Sequence, residues 1–251
     1  MFKIIALLFL YLSVYFLPQN SAEAKPQNIP VYIYHLKPPL VVSAHEKTGV
    51  YYDIERYLNS HIAEYKFETV YIPRKRIDLM LEQKKLDGIV LGVNPVWFQD
   101  KDEDKYLWTA RVLTDRDEII SLRDTPIEYF DLDSLKGKIV GGVRGFYYHG
   151  INELVNDGAI KRVNTASELD LFDLLLAKRI DFAVISRSTF DYIIGKQKRH
   201  MYFHLSKKPH DIFDRRILVP HSRKDVFEVV APVIDHMAFD PEWQKLEKQY
   251  R

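Results

Sequence analysis

Hydrophobic and polar positions fall into two alternating periods along this chain. Short runs that alternate or are apolar throughout occur at 29–34 (IPVYIY), 67–72, 86–93 (LDGIVLGV), 114–122, 138–143 (KIVGGV), 160–163, 181–185 and 216–219. They read as strands. Between them, apolar residues recur at helical spacing: Ile54, Leu58 and Ile62 in 51–61, then Ile77, Met80 and Leu81 in 74–85. Further helices are predicted over 151–155, 168–177, 188–195 and 224–238, with the segment 243–250 closing the chain. Residues 94–110 read as a polar and aromatic loop.

Strands separated by helices imply βαβ units, and so parallel sheets covered on both faces. About ten short strands in two successive runs point to an α/β protein of two lobes. Open sheets of this kind bind ligands beyond the carboxyl ends of their strands. Two facing lobes would place the site in a cleft.

The first 24 residues change the picture of where the chain works. Lys3 is the only charge before an almost wholly apolar run from 4 to 17, and Ala22 and Ala24 form an A-x-A pattern. A secretory signal peptide cleaved after Ala24 is expected, and with it a periplasmic protein. The alternative is a membrane anchor, but the run falls short of the roughly 20 residues a spanning helix needs. The chain has no cysteine, which excludes disulfides, thiolate metal sites and a lipidated cysteine at the cleavage point. A net charge of +1 gives no reason to expect nucleic acid. A monomer without cofactor or metal is expected.

Candidate chemistry begins with LKGKIVGGVRGFYYHG, 135–150, a strand, a glycine run and a helix start. That order suits an anion. Glycines at 141, 142 and 145 match neither the dinucleotide fingerprint nor the P-loop. His200 and His204 lie four apart without an H-E-x-x-H motif, and DKDEDK (100–105) lacks the glycine and spacing of a calcium loop, so it reads as solvated. No G-x-S-x-G occurs. Glu103 or Asp104 with a cleft histidine is the remaining route to an enzyme.

Five segments then bear on family: YIYHLKPPL with GVYYDIERYL, VYIPRKRIDLMLEQKKLDGIVLGV, SLKGKIVGGVRG, LLLAKRIDFAVISRSTFDYI and RRILVPHSRKD. In order and spacing they resemble the periplasmic solute-binding proteins of the polar amino acid type, bacterial family 3, over 28–251. The resemblance implies a type II periplasmic binding fold, with two parallel-rich sheets joined by two hinge strands. Lobe 1 would comprise 28–112 and 214–251, lobe 2 116–208, with crossings at 113–115 and 209–213. It also implies that the loop after strand 138–143 offers backbone N–H groups to the ligand, with Gly145 allowing close approach.

Two family positions differ. The T-x-x-R whose arginine takes an α-carboxylate is missing from GVNPVWFQDKDEDKYLWT, and the ammonium-holding acid falls on Ser186, with Arg187 beside it. A buried ammonium without its carboxylate is costly. A small polar solute, acidic or amino-acid-like, is therefore expected, ahead of an ordinary α-amino acid.

Arg76, with Arg74 nearby, is the candidate replacement arginine, and Arg144 and Arg187 are further cations. Tyr34, Trp97, Phe146 and Tyr147 are candidate cleft walls, with Phe98, Trp108 and Tyr148 as other aromatics. Gly145, Asn94 and Ser186 would contribute polar contacts. Asp53 would either face the ligand or cap its helix. Three functions follow: a binding module serving an ABC permease or a sensor, a cleft lyase or hydrolase, and an accessory protein that has lost its ligand.

Overall fold

A computed structural model describes residues 25–197 and 201–250. The expected signal peptide and His200 lie outside the described residues. The first half contains β1 (Gln27–Ile33), α1 (Val50–His61), β2 (Tyr65–Tyr71), α2 (Arg74–Glu82), β3 (Ile89–Val93), β4 (Leu107–Trp108) and β5 (Leu113–Leu122). Next come β6 (Ile139–Val143), α3 (Ile151–Asn156), β7 (Lys161–Thr165), α4 (Glu168–Leu176), β8 (Phe182–Ser186) and α5 (Arg187–Gln197). The chain ends with β9 (Phe203–Leu205), β10 (Asp211–Val219), α6 (Lys224–Met237) and α7 (Pro241–Glu247).

The strands follow one path, β2-β1-β3-β10-β5-β8-β6-β7, with β4 beside β10 and β9 beside β5. β1 is parallel to β2 and β3, and β6 is parallel to β7 and β8. β10 belongs to both groups. Its residues 211–215 pair antiparallel with β5, and after a register shift between Arg216 and Ile217 its end pairs with β3 and β4.

β3 and β8 are buried at every position, as parallel strands covered on both faces must be. α6 presents Val226, Val230, Ile234 and Met237 as a buried stripe. Covering each contributes about 1.5–3 kcal/mol against leaving it exposed. With α1 they cover the first sheet, where Ile54 and Leu58 meet Ile29, Val31 and Ile217. A separate cluster around Leu171, Leu175, Ile185 and Phe203 serves the second. α4 begins in a capping box between Ser167 and Asp170. Among the described residues, no helix is long and apolar enough to cross a membrane.

Three local expectations are corrected. β10 starts at Asp211, five residues before its apolar run, because charged side chains are buried along the crossing. β4 and β9, of two and three residues, are too short to show a period. The acidic loop is not solvated throughout. Asp100 is buried and accepts from the backbones of Asp104, Lys105 and Tyr106 and from the Trp108 indole at 2.7 Å. Burial opposes its ionisation, but these donors prevail and hold the carboxyl below its usual range.

Candidate functional site

The two groups of strands meet at a cavity of about 20 Å³, the room needed by one water. From the first sheet's side come Tyr34, His35 and Lys37 after β1, Arg74 at the start of α2 and Trp97 after β3, and from the crossing stretch of β10, paired with β5, come Phe213 and Arg215. From the second come Asp117 on β5, Phe146 to Tyr148 after β6, Glu168 at the start of α4, and Ser186 ending β8. Several lie at carboxyl ends of parallel strands, as the sheet type requires. An outer chamber of about 210 Å³ adjoins it. Tyr34, Lys37, Arg74, Phe146 and Glu168 line both chambers and so form the wall between them.

One chain of polar contacts crosses this wall. Lys37 is only 5% exposed, and its Nζ donates to Glu168 Oε1 at 2.5 Å and to the Ser186 hydroxyl. Ser186 in turn donates to Asp117 Oδ1 at 3.2 Å. Glu168 is 4% exposed, and its other oxygen, Oε2, is buried without a hydrogen-bond partner among the described residues. Desolvation pushes the Asp117 carboxyl up to about 7, with Lys37 pulling against it and Glu168 adding to it.

A second cation, Arg215, is 1% exposed beneath the aromatic wall. It donates to Gly92 O at 3.1 Å and Asp115 Oδ2 at 3.3 Å, and lies within 5.4 Å of the Trp97 and Phe213 ring centres. Its Nε is buried and unpartnered among the described residues. Burial, followed by the charges of Arg215, Lys37 and Arg74, holds the His35 imidazole well below its usual range, and therefore neutral. Its ring packs 3.9 Å from Tyr34 and 5.2 Å from Phe146, measured between centres. The third cation, Arg74, stacks on Phe98 at 3.9 Å and reaches Trp97 O and Asp78.

The structure brings Tyr34, Trp97, Phe146, Tyr147 and Ser186 together at this cavity, with Tyr148. Other candidates lie elsewhere. Arg76 is exposed, and Arg74, two residues earlier and so on another face of α2, lines the cavity instead. Asp53 neither faces the cavity nor caps α1, whose N-cap is Gly49; its carboxylate is taken by Arg56 and the Tyr250 hydroxyl. Asn94 caps the short turn at 95–98 and donates to Asp214 O at 3.1 Å, tying β3 to β10. Arg187 pairs with Asp191 at 2.6 Å and lines a separate groove with Arg116 and Tyr250. Arg144 is exposed and reaches only the outer chamber. Phe98 and Trp108 are buried in an apolar cluster with Ile77, Val93 and Leu218. Glu103 pairs with Arg216, and neither it nor Asp104 lines the cavity.

Four backbone donors at and after the glycine run are engaged within the protein. The Val143 N–H donates to the Tyr148 hydroxyl, Arg144 N–H to Thr165 O, Phe146 N–H to Val143 O and Tyr148 N–H to Asn152 Oδ1. Arg162 closes the loop from below, donating to Val143 O at 2.8 Å and Phe146 O at 3.1 Å. Gly142 leaves room for this clamp, since a Cβ there would sit 2.9 Å from Tyr148 and 3.0 Å from the Arg162 Nε. Gly145 has open space around it and a φ of +83°.

His35, Lys37, Asp117, Glu168, Phe213 and Arg215 were not among the residues singled out from sequence. A signal exists for Asp117 and Arg215. Thr114-Asp115-Arg116-Asp117-Glu118 and Asp214-Arg215-Arg216 are charged runs inside strands, where period-two burial should bring some charges indoors.

Comparison with solved structures matches the whole arrangement. An ancestral arginine-binding protein bound to arginine superposes with a TM-score of 0.71 at 16% identity, over 90% of this chain and 99% of that one. The GluR0 ligand-binding core from Nostoc punctiforme in complex with L-glutamate gives 0.70 at 12% identity, over 90% and 99%. An ancestral amino acid-binding protein described as a precursor of cyclohexadienyl dehydratase gives 0.68 at 15%, over 89% and 95%. The chain thus has the two-lobed periplasmic binding protein fold. No protein-family model and no curated protein matches it.

Proposed function

We propose that this chain binds a small polar solute carrying a carboxylate between its lobes. The observation that carries this reading is the cavity itself, walled from both sheets by aromatic rings and by buried charges of both signs. Arg215 and Arg74 are the anion-holding groups, and Tyr34, Trp97, Phe146 and Phe213 exclude water around them. The buried Arg215 Nε is a donor awaiting an acceptor. Structural neighbours that hold arginine or glutamate support a solute of amino-acid size.

A cavity that holds one water admits such a solute only when the lobes part. The lobes are 28–112 with 214–251, and 116–208, turning about crossings at 113–115 and 209–213. Contacts from both lobes then favour the closed form. The protein acts as a periplasmic monomer after loss of residues 1–24, and passes its solute to an ABC permease or presents it to a sensor.

The test is a thermal-shift screen of purified protein against hydroxy acids, dicarboxylates, amino acids, amines and sugars. A saturable rise with carboxylates is expected, since a ligand bound only by the native state stabilises it by mass action. A response confined to uncharged sugars or amines would overturn the reading. A cleft enzyme is the second reading, favoured by the Asp117 carboxyl near 7, a value suited to general acid–base work. Turnover of a bound carboxylate, abolished in Asp117→Asn, would select it.

A further inference from the structure

We infer that Lys37 supplies the ammonium group that the solute lacks, so the cavity selects a small hydroxy acid over the matching α-amino acid. This rests on the carboxylate-binding reading above and names the solute class within it.

Lys37 enters from the segment after β1, and its ammonium lies against Glu168 and Ser186 of the opposite sheet. It is buried there, and those two groups are its hydrogen-bond partners among the described residues. The negative charge of Glu168 is thereby already answered. A solute ammonium at the same place would either put two cations on one carboxylate or evict Lys37 from a buried pair. Like charges at close range are repulsive, and eviction leaves a buried charge unpaired.

The atoms that remain unanswered are different in kind. Glu168 Oε2 is a buried acceptor and Arg215 Nε a buried donor, and both residues line the cavity. A carboxylate oxygen satisfies the guanidinium N–H. A hydroxyl satisfies Glu168 Oε2 by donating a hydrogen without bringing a charge. A hydroxy acid carries both groups, and an α-amino acid replaces the neutral donor with a cation.

The experiment is calorimetric titration of matched pairs: lactate and alanine, malate and aspartate, 2-hydroxyglutarate and glutamate, 3-phenyllactate and phenylalanine. Wild-type protein is compared with Lys37→Arg, Lys37→Met and the double variant Lys37→Met/Glu168→Gln. In at least one pair the wild type is expected to prefer the hydroxy acid by about tenfold or more, as for a charge-assisted contact. Lys37→Arg keeps that preference. Lys37→Met moves it toward the amino acid by about tenfold, because Glu168 is then free to take an amine. The double variant removes both members of the buried pair together and so keeps the test alive if Lys37→Met does not fold. In it the preference shrinks to within about threefold, since neither charge remains. Equal or tighter wild-type binding of the amino acids overturns the inference and leaves carboxylate binding standing. So does a preference unchanged when the lysine is gone. Folded wild-type protein that binds no member of any pair overturns the carboxylate reading itself, and the inference with it.

Discussion

Arg215 and Asp115 face each other across neighbouring strands, Nη2 3.3 Å from Oδ2, inside the stretch where β10 passes from one sheet to the other. Both are buried. Removing one partner of such a pair leaves a desolvated charge without its complement. Arg215→Met is expected to destabilise the fold by about 3–5 kcal/mol, and Arg215→Met/Asp115→Leu to recover much of that. Urea midpoints of the three proteins decide it; equal losses in the single and double variants would show that the pair contributes nothing as a pair.

Asp117 should make stability fall as pH rises. Its folded value of about 7 lies above the ordinary carboxylate value, so the folded protein still holds a proton that the unfolded chain has released. Stability from this group is present at about pH 4, is lost progressively as pH rises to about 7, and is level above that. Lys37 and Arg215 face it as cations, and Glu168 and Asp115 as carboxylates. His35 works the other way: its lowered value costs stability as pH falls below about 6.5. Melting curves of wild type and Asp117→Asn between these limits separate the two. The variant should lose the falling slope, and a constant offset between the curves would exclude it.

Arg74 and Arg76 differ by two residues, and binding should tell them apart. Arg74→Ala is expected to weaken a carboxylate solute by about tenfold or more, as loss of a charge-assisted contact does. Arg76→Ala, altering an exposed side chain, should leave affinity within about twofold. Titration of both with the tightest solute is the measurement, and the reverse order would return the site to Arg76.

The glycines in and after β6 should respond for different reasons, Gly141 through packing and Gly145 through its backbone conformation. A Cβ at Gly141 would come 2.4 Å from Ile180 Cδ1 and 2.8 Å from Leu171 Cδ2, so Gly141→Ala should cost about 1–3 kcal/mol through overpacking. Gly145→Ala meets no neighbour and should cost about 1–2 kcal/mol from its positive φ alone. Gly145→Asn, which tolerates that conformation, should cost less. Equal costs for the alanine and asparagine variants would show that conformation is not what position 145 demands.

The alternation of strands and helices was legible because β3 and β8 are short apolar runs and α6 repeats its apolar residues at helical spacing. So were Trp97, Phe146 and Ser186, which sit at element ends where a cleft was expected. Lys37 and Glu168 were not. They lie 131 residues apart, one in a loop after β1 and the other in the first turn of a helix, where an acid is ordinary for dipole reasons. Nothing local tells such residues that they will share a pocket. The charges along 114–118 and 214–216 were readable in principle, but a charged strand suggests an edge until its neighbours are known.

The strand common to both sheets also fixes an order of assembly. The strands from β5 to β9 are continuous in sequence, and their sheet can pair without anything after residue 205. The first sheet can pair β2, β1 and β3 by then, but it stays incomplete. Its β3 waits for the end of β10, and α1 waits for α6 and for Tyr250, whose hydroxyl reaches Asp53 from 197 positions away. The half synthesised first is therefore the half completed last. During synthesis it exposes an unpaired strand edge until the closing residues emerge, which makes chain termination near the end of β10 the point of greatest exposure to misassembly.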